Sequence, residues 1–169
     1  MPDPEIDPRC FRRARILIGL FSVMLALSGV TALFLPWETR VLVDVLWGDA
    51  APGTGALPAL HRWLATTRDV LADTEARAPF LFYGTDWLAF AHIVLAILFL
   101  GILPDPARNV WVLKFGLICC ALVVPWACIT APLRGVPWFW IPVDAAFGVF
   151  GAVPLGIAWM DVRSLEWKR

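Results

Sequence analysis

The sequence has little of what soluble enzymes and nucleic-acid-binding proteins use. Its 14 basic and 14 acidic residues cancel to a formal net charge of zero, and no dense stretch of Lys and Arg exists that would neutralise a run of phosphates. Serine-hydrolase, zinc-protease and nucleotide-binding-loop motifs are absent. These absences argue against nucleic acid as a partner and leave no motif that names a reaction, so the sequence favours a non-enzymatic protein.

Histidine and cysteine are also scarce, with two and four residues respectively. A haem held by two histidines would need both, yet His61 falls in a predicted external loop and His92 in a predicted membrane helix. The cysteines form neither a C-x-x-C nor a C-x-x-C-H motif and are typical of small buried hydrophobic residues. We therefore expect no metal site and no cofactor.

What the chain has in abundance is apolar sequence, with 60% hydrophobic residues and a mean hydropathy of +0.73. Its long apolar segments each approach the roughly 20 residues that cross a bilayer core. This pattern predicts an all-α polytopic membrane protein, a single membrane domain over residues 1–169 in contact with the lipid bilayer. The predicted spans are Ile16–Leu35, Trp87–Leu103, Val110–Ile129 and Val143–Met160.

The distribution of Arg and Lys predicts the orientation. Four arginines precede the first span, and Arg163, Lys168 and Arg169 follow the last. Because short cytoplasmic segments are enriched in these residues, both termini are predicted to be cytoplasmic. The first span could instead be a signal peptide cleaved near Ala32, but it is longer than the usual h-region. Residues 1–8, rich in proline and acid, are predicted to form a disordered tail.

Residues 36–86 form the predicted extracytoplasmic loop, which divides at the turn sequence Pro52–Gly55. After it, Pro58 is placed to open a helix. Apolar side chains then recur at helical spacing, which predicts an amphipathic helix; they are Leu57, Leu60, Leu64 and Leu71. Its leucine face either packs on the bundle or in the headgroups, or serves as a docking face or lid.

The fourth span carries a packing signal. Gly148, Ala152 and Gly156 recur every four residues, which predicts a close helix–helix seam within or between subunits. Pro154 in the same span is expected to kink it as a matter of packing geometry.

Polar residues near the predicted outer ends of the spans form a candidate site: Asp86, His92, Arg134 and Asp144. Ionisable groups at membrane depth are costly unless paired or functional. The alternative is structural, because Asp144 can cap its helix or pair with Arg134, Asp86 is a second candidate partner of that arginine, and His92 can bond a neighbouring helix. The sequence leaves both interpretations open.

Several stretches resemble a family of small uncharacterised bacterial four-helix membrane proteins. They are Pro79–His92, Asp105–Asn109, Arg134–Trp138 and Asp144 with Phe147–Gly148. The resemblance covers the chain from about Pro79 onward. It implies a multi-pass protein of the bacterial cytoplasmic (inner) membrane, and it implies neither an activity nor functional residues.

The sequence supports two functional hypotheses. The leading one is a scaffold or accessory subunit that acts through helix packing and its external helix, on a membrane-protein partner or as a homo-oligomer. The alternative is a transporter or membrane enzyme that binds a small molecule or lipid at the candidate polar site. Substrate, partner and oligomeric state are not encoded in any motif of the chain.

Overall fold

The computed structural model describes residues 8–55 and 57–166, with only the backbone for residues 165 and 166. Within these ranges the chain is all-helical, as predicted. Its α-helices are α1 (Pro8–Leu33), α2 (Leu35–Trp47), α3 (Pro58–Arg77), α4 (Tyr83–Gly101), α5 (Val110–Leu133) and α6 (Ile141–Glu166). Short 3₁₀ turns, Pro79–Phe82 and Trp138–Trp140, lead into α4 and α6.

Four helical segments in the described part of the chain are long and apolar enough to cross a membrane. They are Pro8–Leu33, Pro79–Gly101, Val110–Leu133 and Trp138–Ser164. The count of four predicted spans is therefore supported by the helices. Most of these helices are longer than the predicted spans, because helical backbone hydrogen bonds continue into segments whose side chains are polar. The predicted tail lies outside the described residues, except that Pro8 already begins α1.

Helix α2 was not predicted from the sequence. A single residue, Phe34, separates it from α1, and the Phe34 amide donates to the carbonyl of Thr31. Pro36 stands in its first turn, where a missing backbone donor costs nothing. The sequence favours a loop at this place, because an apolar run that continues past a proline marks a boundary without specifying the structure beyond it.

Helix α3 begins at Pro58, where the sequence placed a helix start. The residues it buries are His61, Leu64 and Ala65, whereas Leu57 is 65% exposed. The buried face is thus rotated away from part of the predicted leucine stripe, because His61 stacks on Trp47 of α2 and Ala65 is buried beside it on α3. Whether this helix acts as an amphipathic extracytoplasmic element stays a prediction.

The chain divides into two compact units, Met1–Leu25 with Leu95–Arg169 and Ala26–Val94. The division falls inside α1 and α4. Helices α2 and α3 pack against each other in the second unit.

The first unit has a core to which α1, α4, α5 and α6 all contribute. Helix α1 buries Ala14 and Ile18 completely, and its Phe21 ring meets Phe99 edge-on with centroids 4.8 Å apart. Removal of α1 by a signal peptidase would therefore open this core. The remaining buried members are Ile102, Leu113, Cys120, Leu155, Ala158 and Val162.

Candidate functional site

Helices α2 and α3 form a helical hairpin, Leu35–Arg77, with a centre of its own. The His61 ring lies flat on the Trp47 ring, with centroids 4.6 Å apart and planes within 3° of parallel. His61 is 1% exposed, and its Nδ1 lies 3.2 Å from the carbonyl oxygen of Thr54. Since a carbonyl only accepts, Nδ1 is the donor in this bond. His61 is therefore explained as the centre of the hairpin.

An arginine side chain packs against the turn between the two helices. Gly53 has a φ of +84°, a region that favours glycine. A Cβ built there would stand 2.9 Å from Nη2 of Arg62, so the guanidinium lies directly against the turn backbone. Arg68 on the same helix approaches Asp44 of α2 at 3.9 Å and Asp69 at 2.9 Å. Charges thus line the rim of the hairpin, outside its buried centre.

The outward side of α2 is apolar. Thr39 and Val43 turn toward α3 and are buried, while the opposite side leaves large apolar side chains in the open. We call this surface the α2 face; it consists of Trp37, Val41, Leu42, Val45 and Leu46, with Val45 77% exposed. Large exposed apolar side chains grouped on one side of a helix mark contact with protein or membrane.

Two of the four predicted polar residues lie on α4. His92 is half-buried, and its Nδ1 lies 2.8 Å from the carbonyl of Leu88 on its own helix. Helix α1 approaches the base of this side chain closely, because a Cβ built on Gly29 would stand 2.8 Å from the His92 Cβ. Asp86 stands in the first turn of α4 and is exposed, a position favourable for an acidic group.

The other two predicted residues belong to the first unit. Arg134 follows the last residue of α5 and is exposed, whereas Asp144 is half-buried in the first turn of α6. In the part of the chain that the structure describes, Arg134 and Asp144 form no ion pair. His92 thus has a local structural partner in the backbone of its own helix, and a functional role for the four residues stays a prediction.

The small residues of α6 do not share one environment. A Cβ on Gly148 would collide with the carbonyl oxygen of Cys120 on α5, and Ala152 packs against the buried core. At Gly156, by contrast, an added Cβ meets nothing within 4 Å among the described residues. Gly151 is also close, with its Cβ position 3.0 Å from the Cys120 sulfur. Close packing on α5 therefore runs through Gly148 and Gly151.

Sequence reasoning missed an ion pair between α1 and α6. Arg13 donates from Nε to Oδ2 of Asp161 over 2.8 Å, and its Nη2 pairs with Oδ1. The Asp161 side chain is 5% exposed and that of Arg13 61%, so the carboxylate is buried and the guanidinium reaches water. The available signal was that Asp161 directly follows the last apolar run, on the side of the membrane predicted for Arg13.

The described residues give no positive indication of metal or redox chemistry. No group of three or more His, Cys, Asp or Glu side chains there could hold a metal ion. The cysteines form no disulfide among the described residues, and Cys119 and Cys120 lie within α5.

These features define the class of protein, a helical chain whose candidate spans support a multi-pass membrane protein. Comparison with protein-family models, with curated proteins and with solved structures returned no match. The resemblance noted from the sequence therefore stays an expectation, and functional inference depends on the surfaces described above.

Proposed function

We propose that the chain is a multi-pass protein of the bacterial inner membrane that serves as a scaffold or accessory subunit, with the α2 face as its contact surface for a membrane-protein partner. One observation carries this proposal. The hairpin has its own buried centre, yet one side of α2 remains apolar and exposed. A folded element that keeps such a side uncovered loses stability in water, at about 25 cal/mol per Å² of apolar area.

The connections of the hairpin support a position at the membrane surface. Helix α2 begins one residue after α1, and the 3₁₀ turn Pro79–Phe82 leads from α3 toward α4. Exposed aromatic residues stand near both connections, namely Trp37 and Tyr83, and such rings favour the interfacial region. A partner that meets the α2 face there would itself be a membrane protein.

The two outward sides of the hairpin differ in polarity, which supports the choice of α2. The outward residues of α3 include Arg62, Thr66, Asp69 and Asp73, all exposed. A charged side remains soluble without a partner, whereas an apolar side does not. Of the two outward sides of the hairpin, the α2 face is thus the one whose burial stabilises a complex more.

Photo-crosslinking in living cells tests the contact. A photoreactive residue replacing Val45 should capture a membrane protein or a second copy of the chain. The same residue at Val70, which is 58% exposed on α3, is the matched control and should capture far less. Equal crosslinking at both positions, or products containing only lipid, would contradict the proposal.

Co-purification gives an independent test. In mild detergent, the tagged full chain should retain a stoichiometric protein partner, and Val41→Ser with Val45→Ser should release it. Mass spectrometry that instead finds a bound metabolite, unaffected by these substitutions, would favour the transporter or enzyme alternative.

The orientation is part of the proposal. Reporters active in the cytoplasm should function when fused at either terminus, and reporters active in the periplasm when inserted near Gly53. A C-terminus that supports only the periplasmic reporter would be incompatible with an even number of spans and a cytoplasmic start.

A further inference from the structure

A groove with two arginines at one end lies beside the first turns of α1. Its volume is about 450 Å³, and it is open to the exterior; we call it the arginine groove, lined by Phe11, Arg12, Arg15, Ile16 and Leu103. All five residues belong to the same compact unit. Arg12 and Arg15 form no ion pair within the residues that the structure describes.

The polarity of the groove changes along α1. Arg12 and Arg15 are three residues apart and therefore neighbours on the helix surface, with about 5–6 Å between their Cβ atoms. Ile16, at 62% exposure, begins an apolar ridge that continues away from the arginines through Leu20 and Val23. Cationic donors thus lie at one end and an uncovered apolar strip leads away from them.

The Arg15 side chain is also held by a contact with another residue of the groove. The Arg15 guanidinium lies over the Phe11 ring at 5.8 Å from its centroid, a cation–π distance that fixes its position without satisfying its N–H donors. Arginine binds phosphate through paired N–H groups. Since α1 is a candidate span, the arginines near its start come at headgroup level and Ile16 at the depth of the acyl chains.

We propose that the arginine groove binds one anionic phospholipid, with its phosphate held by Arg12 and Arg15 and an acyl chain lying along Ile16 and Leu20. The complementarity is twofold. The lipid supplies a negative headgroup to two arginines that form no ion pair among the described residues, and an apolar tail to the exposed ridge of α1. This inference is independent of the proposed scaffold role.

Native mass spectrometry of the full chain in detergent tests the proposal, with phosphatidylglycerol and phosphatidylcholine of identical acyl chains as probes. We expect one phosphatidylglycerol to bind about tenfold more tightly than phosphatidylcholine, because both lipids carry the phosphate but the quaternary ammonium of phosphatidylcholine is repelled by the two arginines. Arg12→Gln with Arg15→Gln should abolish this preference. Inorganic phosphate should not displace the lipid at equal concentration, because it lacks the acyl chain.

A charge-matched control separates a bound lipid from general attraction of anionic lipid to basic residues. Arg108→Gln with Lys114→Gln removes the same charge from exposed positions outside the groove and should leave the preference unchanged. Equal binding of both lipids, or an equal loss in the control variant, would overturn the proposal. Should the Arg12/Arg15 variant fail to fold, Ile16→Ser decides, since it must weaken lipid binding but leave the headgroup preference.

Discussion

In the α2–α3 hairpin the centre is a polar aromatic pair, with the His61 ring stacked on Trp47. The core shared by α1, α4, α5 and α6 is apolar throughout and is built from aliphatic side chains, the Phe21–Phe99 pair and closely approached glycines. The hairpin buries a ring that must find a hydrogen-bond partner, and it finds one in the Thr54 carbonyl. The shared core instead depends on shape.

This difference reflects the surroundings expected for each part. Between membrane helices the hydrophobic effect gives little net attraction, because lipid tails are as apolar as leucine, and close approach at small residues replaces it. A hairpin outside the hydrocarbon region can use the hydrophobic effect and aromatic stacking. The comparison predicts that added volume damages the shared core most, while loss of a ring damages the hairpin most.

The largest effect is expected at the seam between α5 and α6. Gly148→Leu should lower the free energy of unfolding in detergent by about 3 kcal/mol, because its Cβ meets a backbone carbonyl that cannot rotate away. Gly156→Leu is the matched control on the same helix and should change it by less than about 0.5 kcal/mol. Similar melting temperatures for the two variants would refute the seam.

The buried carboxylate should give the next effect. Arg13→Ala strands Asp161, whose side chain is 5% exposed, and should cost about 2 kcal/mol, less than a fully buried pair because the guanidinium reaches water. Asp161→Asn should cost less, since an exposed Arg13 remains solvated. A double-mutant cycle in thermal unfolding measures the coupling, and additive effects would show that the pair contributes nothing.

In the hairpin, His61→Ala should destabilise more than His61→Phe. The phenyl ring keeps the stacking on Trp47 and loses only the bond to Thr54, worth about 1 kcal/mol, whereas alanine also leaves a cavity. Hydrogen exchange of the α2 and α3 amides is the measurement. The exchange of α5 and α6 should be unaffected in both variants, and faster exchange there would show that the comparison between hairpin and core is wrong.

The smallest effect should be a gain. Leu57 has a φ of +55° and ψ of 58°, a left-handed conformation that disfavours residues other than glycine by about 1 kcal/mol. Leu57→Gly should therefore slow hydrogen exchange in α3, since an exposed side chain contributes little when removed. Leu60→Gly, inside the helix, should do the opposite.

Much of the fold was predictable because long apolar segments identify membrane spans from composition alone. The helices α1, α4, α5 and α6 coincide with the four apolar runs, and Pro58 marks the start of α3. Helix α2 was missed because the first span was predicted to end at Leu35, and the proline directly after it indicates a boundary without specifying the structure beyond. The four polar residues of the candidate site could be predicted only individually. The position of a residue along a helix does not reveal which partner its side chain contacts.

The sequence by itself determined the helical class, the four candidate spans and the break between α2 and α3, because length, hydropathy and the conformational limits of proline and glycine are local properties. Tertiary structure alone decided that Arg13 pairs with Asp161, that Gly148 meets the Cys120 carbonyl while Gly156 meets open space, and that His61 lies against Trp47. Those outcomes depend on the rotation of each helix about its axis. That rotation is set by the packing of all neighbours together, since a helix buries whichever side gives the closest fit.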